Sequence, residues 1–410
     1  MSGRAARLLP RLPPAWRATP VRYATTCLDG RRIPLNGDER GRRQGDFPYW
    51  GANGVVDAID DFIFDEPLVL LGEDGAPFFD KSKSVAFFVT GRVWVNNHIH
   101  VLRTEPGFEP RFVTYALNAT DYTPWIEGST RDKLTQDKMG SILLPTPPLA
   151  EQHSVANFLD SETSRIDGLI AAKQRLIDLL AEKRKALIAT AVTRGLDPKV
   201  KLRDSGVPWL GEIPAHWEIE RARWLFRERD VRSTTGDEEL LTVSHLTGVT
   251  PRSEKDVNMF EAETNEGYKL CEPGDLVINT LWAWMGAMGI APVKGIVSPA
   301  YNVYEPGLRL VPAYVDALVR LPVFAQEVTR YSKGVWSSRL RLYPEGFFEV
   351  YLPVPAQEEQ RAIVEHIARE TAKLDALQAA TERTITLLKE RRSALIAAAV
   401  TGQLDVGATA

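Results

Sequence analysis

"EKRKALIATAVTRGLD" at 182–197 and "ERRSALIAAAVTGQLD" at 390–405 are one helical phrase written twice, 208 positions apart in a chain of 410 residues. Shifted by that distance, residues 151–197 align with 359–405 without a gap, and about half of the positions are identical. Glu151-Gln152 meets Glu359-Gln360, Glu162-Thr163 meets Glu370-Thr371, and Ala191-Val192-Thr193 meets Ala399-Val400-Thr401. Each copy predicts a long helix. Val155, Leu159, Ile166, Leu169, Ile177, Leu180, Leu187 and Ala191 recur at helical spacings, as do Ile363, Ile367, Leu374, Leu377, Ile385, Leu388, Leu395 and Ala399. A stripe kept over several heptads predicts a coiled-coil seam. Prolines precede both copies, and Gly195 followed by Pro198 closes the first. Each helix is expected to run about 43 residues, roughly 65 Å. Two matching seams in one chain are expected to pair, through Ile166, Leu169, Ile177, Leu180 and Leu187 on one side and Leu374, Leu377, Ile385, Leu388 and Leu395 on the other.

The chain is long enough for two or three cores. A net charge of −4 gives no bulk positive field, though nucleic-acid binding needs only a local basic surface. Two isolated cysteines, Cys27 and Cys271, suit a reducing compartment and cannot build a zinc cluster. No apolar run approaches the ~18–20 residues of a membrane span. The opening "MSGRAARLLPRLPPAWR" has the Arg-rich, acid-free composition of a transit peptide, but its prolines interrupt an amphipathic helix, so a cytoplasmic protein is expected.

The segments before the helices are rich in Gly, Pro, Trp and Tyr, with short β-type runs such as "LVLL" (68–71), "VAFFV" (85–89) and "LVIN" (276–279). They echo each other: "LPPAW" (12–16) matches "IPAHW" (213–217), and "PRFVTYAL" (110–117) matches "PAYVDAL" (312–318). The expected order is a globule at 1–149, a helix at 150–197, a linker at 198–212, a globule at 213–355, a helix at 356–405 and a tail at 406–410. Two similar globules carried by paired helices suit a protein that reads two sites at a set separation. DNA fits, because half-sites on one face repeat every ~34–36 Å. A duplicated scaffold held together by its helices is the other reading.

The globules also carry recognisable motifs. "PYWGANGVVDAIDDFIFDEPLVLLGEDG" (48–75), "GRVWVNNHIHVLR" (91–103) and "GSTRDKLTQDKM" (128–139) lie in the first, and "PGDLVINTLWAWMGAMGIAPVKGIVSPAYNVYEP" (273–306) and "KGVWSSRLRLYPEGFF" (333–348) in the second. With "PPLAEQ" and "PAQEEQR" opening the helices, and "DSGVPWLGEIPAHW" at 204–217, the chain resembles the DNA-specificity subunits of type I restriction–modification systems over nearly its whole length. The resemblance implies an α/β protein. Two target-recognition domains would each read half of a bipartite DNA site, separated by long antiparallel helices forming a coiled-coil-like ruler with internal pseudo-twofold symmetry. It further implies a non-catalytic subunit that binds no cofactor. The partners would be two methyltransferase subunits and two restriction subunits, which carry S-adenosylmethionine, ATP and Mg2+. Two departures are visible. The first globule lacks the full "GEIPxHW" opening, so its first strand or loop is truncated or divergent. The second helix has His366 and Ala368 where the first has Phe158 and Asp160, so its two partner-binding surfaces need not be equivalent.

Read as chemistry, Ser129, Thr130, Arg131 and Lys133 offer hydroxyls and cations to phosphates or base edges, as do Lys333, Ser337, Ser338, Arg339 and Arg341, with Trp336 able to pack on sugar. Both loops also suit solvated turns; their corresponding places in the two globules favour DNA contact. Tyr49 and Asn53 in "YWGANG" suit a base or phosphate contact, or a turn beside a core aromatic. The arginines of "RRIPLNGDERGRRQGD" (31–46) suit phosphate tracking or a charged flexible loop. In "NNHIH" (96–100), histidines on alternate positions share a strand face, but no third metal ligand is evident; DNA contact by Asn97 and His98, or bonding within the fold, is expected. Trp282 and Trp284 share one face of an expected strand, as core or as a stacking surface, with Tyr301 nearby in "SPAYNVYEP". The basic runs "EKRK" (182–185) and "KERR" (389–392) suit a solvated face or DNA crossing the helices. There is no GxxxxGK[ST] loop, no S-adenosylmethionine loop and no Asn/Asp-Pro-Pro-aromatic motif. An autonomous bipartite DNA-binding or scaffold protein is the rival reading; a methyltransferase in its own right lacks those motifs.

Overall fold

The computed structural model of the chain describes residues 9–126, 132–254, 264–334 and 340–406. It is mixed α/β, dominated by helices Leu149–Arg194 of 46 residues and Gln357–Val400 of 44 residues. The uninterrupted stripe, free of proline, explains their length.

The chain divides into two compact units, Met1–Leu176 with Ala380–Ala410, and Ile177–Ala379. Each unit therefore contains one globule and half of each long helix. In the first unit, Val155, Ala156 and Leu159 share a core with Ile396, Ala399 and Val400, and farther along Asp167 meets Arg392 at 2.9 Å. Position on one helix rises as the other falls, so the halves are antiparallel. In the second unit Ala191 and Val192 share a core with Ile363, while Arg184 pairs with Asp375. Asp167 and Asp375 are the same position of the repeat, and so are Arg184 and Arg392. One ion pair is thus written twice, and the basic runs supply its cations.

The seam is narrower than the heptad stripe suggested. Ile166, Leu180 and Ile385 are buried, and Ile177, Leu187, Leu374, Leu388 and Leu395 are half-buried. Leu169 and Leu377, which hold one repeat position, are 48% and 47% exposed and lie outside the seam. Leu179 and Leu387, again equivalent, are also exposed.

The two globules share one four-stranded sheet topology. In the first, strands Thr25–Cys27, Ile99–Thr104, Leu68–Gly72 and Ala86–Val89 form an antiparallel sheet in that spatial order. In the second, Phe226–Glu228, Tyr301–Pro306, Leu276–Asn279 and Met288–Ile290 repeat it. The runs "LVLL" and "LVIN" are the central strands, buried at every residue, as an unbroken apolar run predicts. The first globule adds a second sheet, ordered Gly54–Ile59, Gln44–Gly51, Arg92–Val95 and Phe64–Asp65.

Both globules open alike. Trp16 donates its amide to Pro13 at 2.9 Å and Trp217 to Pro214 at 3.0 Å. Strand Arg17–Pro20 then pairs with Leu143–Thr146, as Glu218–Arg221 pairs with Tyr351–Val354. The first globule has therefore diverged in sequence while keeping its turn and first strand. Each Pro-x-x-Trp turn seats a helix end: Gly195 (φ +73°) lies against Pro214 and Trp217, and Gly402 (φ +71°) against Pro13 and Trp16. The left-handed backbone favours glycine at both, and at Gly402 a Cβ would also run into the Pro13 ring. The segment read as a linker also folds, pairing Leu202–Asp204 with Glu212–Pro214 and burying Val207, Leu210 and Ile213.

The repeated Gln of the "EQ" phrase joins helix to globule. Buried Gln152 accepts from the Glu109 amide (2.9 Å) and donates to the carbonyls of Gly107 (3.1 Å) and Pro147 (2.9 Å). Buried Gln360 does the same with Val311 (2.7 Å), Arg309 (2.9 Å) and Pro355 (2.8 Å). Each amide thus satisfies otherwise orphaned backbone groups at two element junctions. No helix among the described residues is long and apolar enough to cross a membrane.

Candidate nucleic-acid interface

In the first globule the candidate residues gather where the central strand Leu68–Gly72 ends. Asn53, at the exposed tip between strands Gln44–Gly51 and Gly54–Ile59, donates to the Gly75 carbonyl at 3.4 Å. His98 lies 3.4 Å from Asp74, and its carbonyl accepts from Glu73 at 3.0 Å. Lys133 bridges Asp74 through the backbone and reaches Glu73 at 3.5 Å. Exposed Asn97 turns the same corner. Ser129, Thr130 and Arg131 lie outside the described residues. Just after them, Gly75 donates to the Asp132 carbonyl (3.0 Å) and Leu134 to that of Glu73 (2.8 Å).

The second globule builds its candidate site at the corresponding strand end. Leu342, the counterpart of Leu134, donates to the Thr280 carbonyl at 3.1 Å. Lys333 and Arg341 exchange two backbone hydrogen bonds of 2.9 Å. Lys333 pairs with Glu345 at 2.9 Å, whereas the exposed Arg341 makes no ion pair among the described residues. Trp336, Ser337, Ser338 and Arg339 lie outside the described residues. Trp282 is 49% exposed, and its ring runs nearly parallel to Trp284, 15° apart with centroids 6.4 Å apart. They stand on a tight turn, with Ala283–Met285 in a 3-10 helix, rather than on the expected strand. Left-handed Gly286 ends that turn, which is why the alternation there misleads. Tyr301 is half-buried, and burial raises its hydroxyl pKa.

Other candidates face inward. Tyr49 is fully buried, its hydroxyl accepting from the Leu35 amide at 3.0 Å, so it offers nothing to a ligand and is a core aromatic. In the arginine-rich stretch, Asn36 caps helix Gly37–Arg42 through a capping box. Arg40 bonds Asp57 at 3.0 Å and Arg43 bonds Asp60 at 2.9 Å. Arg31, Arg40 and Arg43 lie over the rings of Phe64, Tyr49 and Trp94. That segment is thus a folded one rather than a flexible loop, and Arg31, Arg40 and Arg43 are engaged within the fold, while Arg42 stays exposed.

His100 has a different fate from His98. Its ring is buried, with Nδ1 2.6 Å from Asp29 and Nε2 2.9 Å from the Leu134 carbonyl. Both partners only accept, so both contacts are hydrogen bonds only when both ring nitrogens carry protons. Burial opposes ionisation of Asp29, but the His100 hydrogen bond and charge, the Val101 amide and Arg32 hold its carboxyl below the usual value. Asp29, Glu73 and His100 lie close enough to form a metal-ligand set. Arg32 already reaches Glu73 at 2.6 Å and Asp29 at 3.4 Å, supplying the cation, so these residues do not fit a metal site. The cluster fastens the chain at Leu134.

One repeated feature escaped the sequence reading. Tyr23 and Trp224, at the same place in one-turn helices Val21–Ala24 and Ala222–Leu225, are 65% and 72% exposed. Each follows an arginine, Arg22 or Arg223, a pairing suited to stacking on nucleic acid. The signal was present: extending the "LPPAW"/"IPAHW" echo a few residues reaches both.

Comparison with known proteins agrees with the motifs. Residues 28–177 match the family described as the type I restriction modification DNA specificity domain. A Haemophilus influenzae protein described as a type I restriction enzyme specificity subunit is 33% identical over 145 residues, which are 35% of this chain and 37% of that relative's length. The type I restriction enzyme EcoBI specificity subunit of Escherichia coli is 24% identical over 336 residues, covering 73% of this chain and 67% of that one. The fold matches the crystal structure of the HsdS subunit from Thermoanaerobacter tengcongensis, with TM-score 0.54, 17% identity and coverage of 96% and 99%. It also matches a chain from a structure of complex assembly in a type I R-M system, with TM-score 0.66, 17% identity and coverage of 96% and 100%. The chain thus resembles type I specificity subunits in sequence and shares their fold.

Proposed function

We propose that this chain is the DNA-specificity subunit of a type I restriction–modification complex, reading a bipartite DNA sequence with one half-site for each globule. The observation that carries this reading is the repeated site. At the same strand end, Leu134 in one globule and Leu342 in the other are fastened, and exposed basic residues, Lys133 and Arg341, stand next to them. The residues displayed there differ, so the same fold presents different chemistry to each half-site. The paired helices set the spacer, and the chain performs no chemistry itself. Methyltransferase and restriction subunits, two of each, supply catalysis with S-adenosylmethionine, ATP and Mg2+, in the cytoplasm. Leu169, Leu179, Leu377 and Leu387, exposed on the long helices, support protein docking there.

The test is to express the chain with its neighbouring methyltransferase subunits and sequence modified bases in the host genome. A methylated bipartite motif that disappears on deleting this chain is the expected result. A chain that binds DNA but recruits no subunit and directs no methylation is an autonomous DNA-binding protein, and this reading fails.

A further inference from the structure

The two globule–helix junctions are built on one plan but are filled differently. In the first unit Arg111, Tyr115 and Asp160 knit helix Pro110–Ala119 to the first long helix. Arg111 donates to Asp160 at 2.7 Å and to Asn157 at 3.0 Å, and the Tyr115 hydroxyl donates to Asp160 at 2.7 Å. The corresponding residues in the second unit are Ala313, Ala317 and Ala368. Truncating all three to methyl groups leaves a groove of about 380 Å³, floored also by Ile188 and Ile367. That volume admits a bulky side chain with room to spare. On the rim, Arg184 is matched by Asp375 and Arg320 by Asp316. Lys185 is exposed, makes no ion pair among the described residues, and leaves the rim positive.

We propose that this groove seats a bulky apolar side chain carried on an acidic segment of one methyltransferase subunit. The equivalent place in the first unit is closed by Arg111, Tyr115 and Asp160, so the two methyltransferase subunits bind inequivalently, the tighter at the second unit. The proposal rests on the function proposed above and adds the chemistry of the contact. An apolar floor rewards burial of an aliphatic or aromatic group, and the basic rim selects an acidic flank.

The test uses the full chain and purified methyltransferase subunits, with binding followed by calorimetry and native mass spectrometry. The wild-type chain is expected to bind two subunits with separable affinities. Ala317→Trp fills the groove and is expected to weaken the tighter event about ten-fold or more, leaving the weaker event and DNA binding unchanged. Lys185→Glu, on the exposed rim where folding is indifferent to it, is expected to weaken the same event several-fold and to make it less salt-dependent. If the subunits bind but neither substitution moves either event, the groove is no docking seat and the proposed function survives. If the wild-type chain binds no methyltransferase subunit, the function itself falls, and this inference with it.

Discussion

Gln152 and Gln360 show how much one side chain holds at this scale. Each spends its amide on three backbone groups at a buried junction, so truncation orphans a donor and two acceptors at once. Gln152→Ala or Gln360→Ala is therefore expected to cost about 2–4 kcal/mol, read as a lower urea midpoint at similar slope. Loss below 0.5 kcal/mol by that measure would refute the latch. Asp29 makes a pH-dependent contribution. Because its folded pKa lies below the ordinary carboxyl value, its stabilisation is complete above about pH 4 and drains as pH falls through the folded value. Asp29→Asn should thus lower the melting temperature at pH 7, and the gap from wild type should narrow towards pH 2.5. A gap constant with pH would mean that Asp29 acts by shape alone. The half-buried thiol of Cys27, pushed up to about 11 by desolvation, is correspondingly inert.

Among the elements, the long helices are tied by a doubled ion pair that is easily overvalued. Asp167 and Asp375 retain 51% and 52% of their side-chain exposure, so each pair is worth about 1 kcal/mol or less. Asp375→Ala should change stability no more than that, with its effect fading in high salt. The helix ends matter more. Gly402→Ala combines a left-handed backbone with a Cβ driven into the Pro13 ring, and should cost over ~1 kcal/mol in thermal unfolding. Arg341 is exposed and makes no ion pair among the described residues, whereas Lys333 is shared with Glu345. Arg341→Ala should lower the salt slope of DNA binding by about 0.9, and Lys333→Ala by less. Equal effects from both would show that Glu345 releases Lys333 on binding.

For the whole molecule, the duplication separates what must stay from what is free to vary. The latch glutamines, helix-end glycines and ion-pair residues recur because both units close the same way, while the strand-end loops have diverged. Lengthening both helices by one heptad at matched positions should change the preferred spacer and leave both half-site sequences intact. Altered half-sites, seen by modified-base sequencing, would count against helices that only measure.

The repeated phrase, its heptad stripe and the flanking prolines determined the two long helices and the duplicated plan, because helix formation and amphipathic pairing are local and periodic. The "LVLL" and "LVIN" strands were legible for the same reason. Which leucines face the seam was not legible, because a stripe drifts around a long helix and packing chooses the face; Leu169 and Leu377 lost that choice. Nor was the fate of the polar candidates. Tyr49 and Asn53 sit four residues apart, yet one is core and the other is a hairpin tip. His98 and His100 alternate on one strand side, yet only His100 meets Asp29, 71 residues earlier. Burial and hydrogen-bond partners are properties of residues brought together from distant sequence, so only the tertiary structure could decide which polar groups close the fold and which remain exposed.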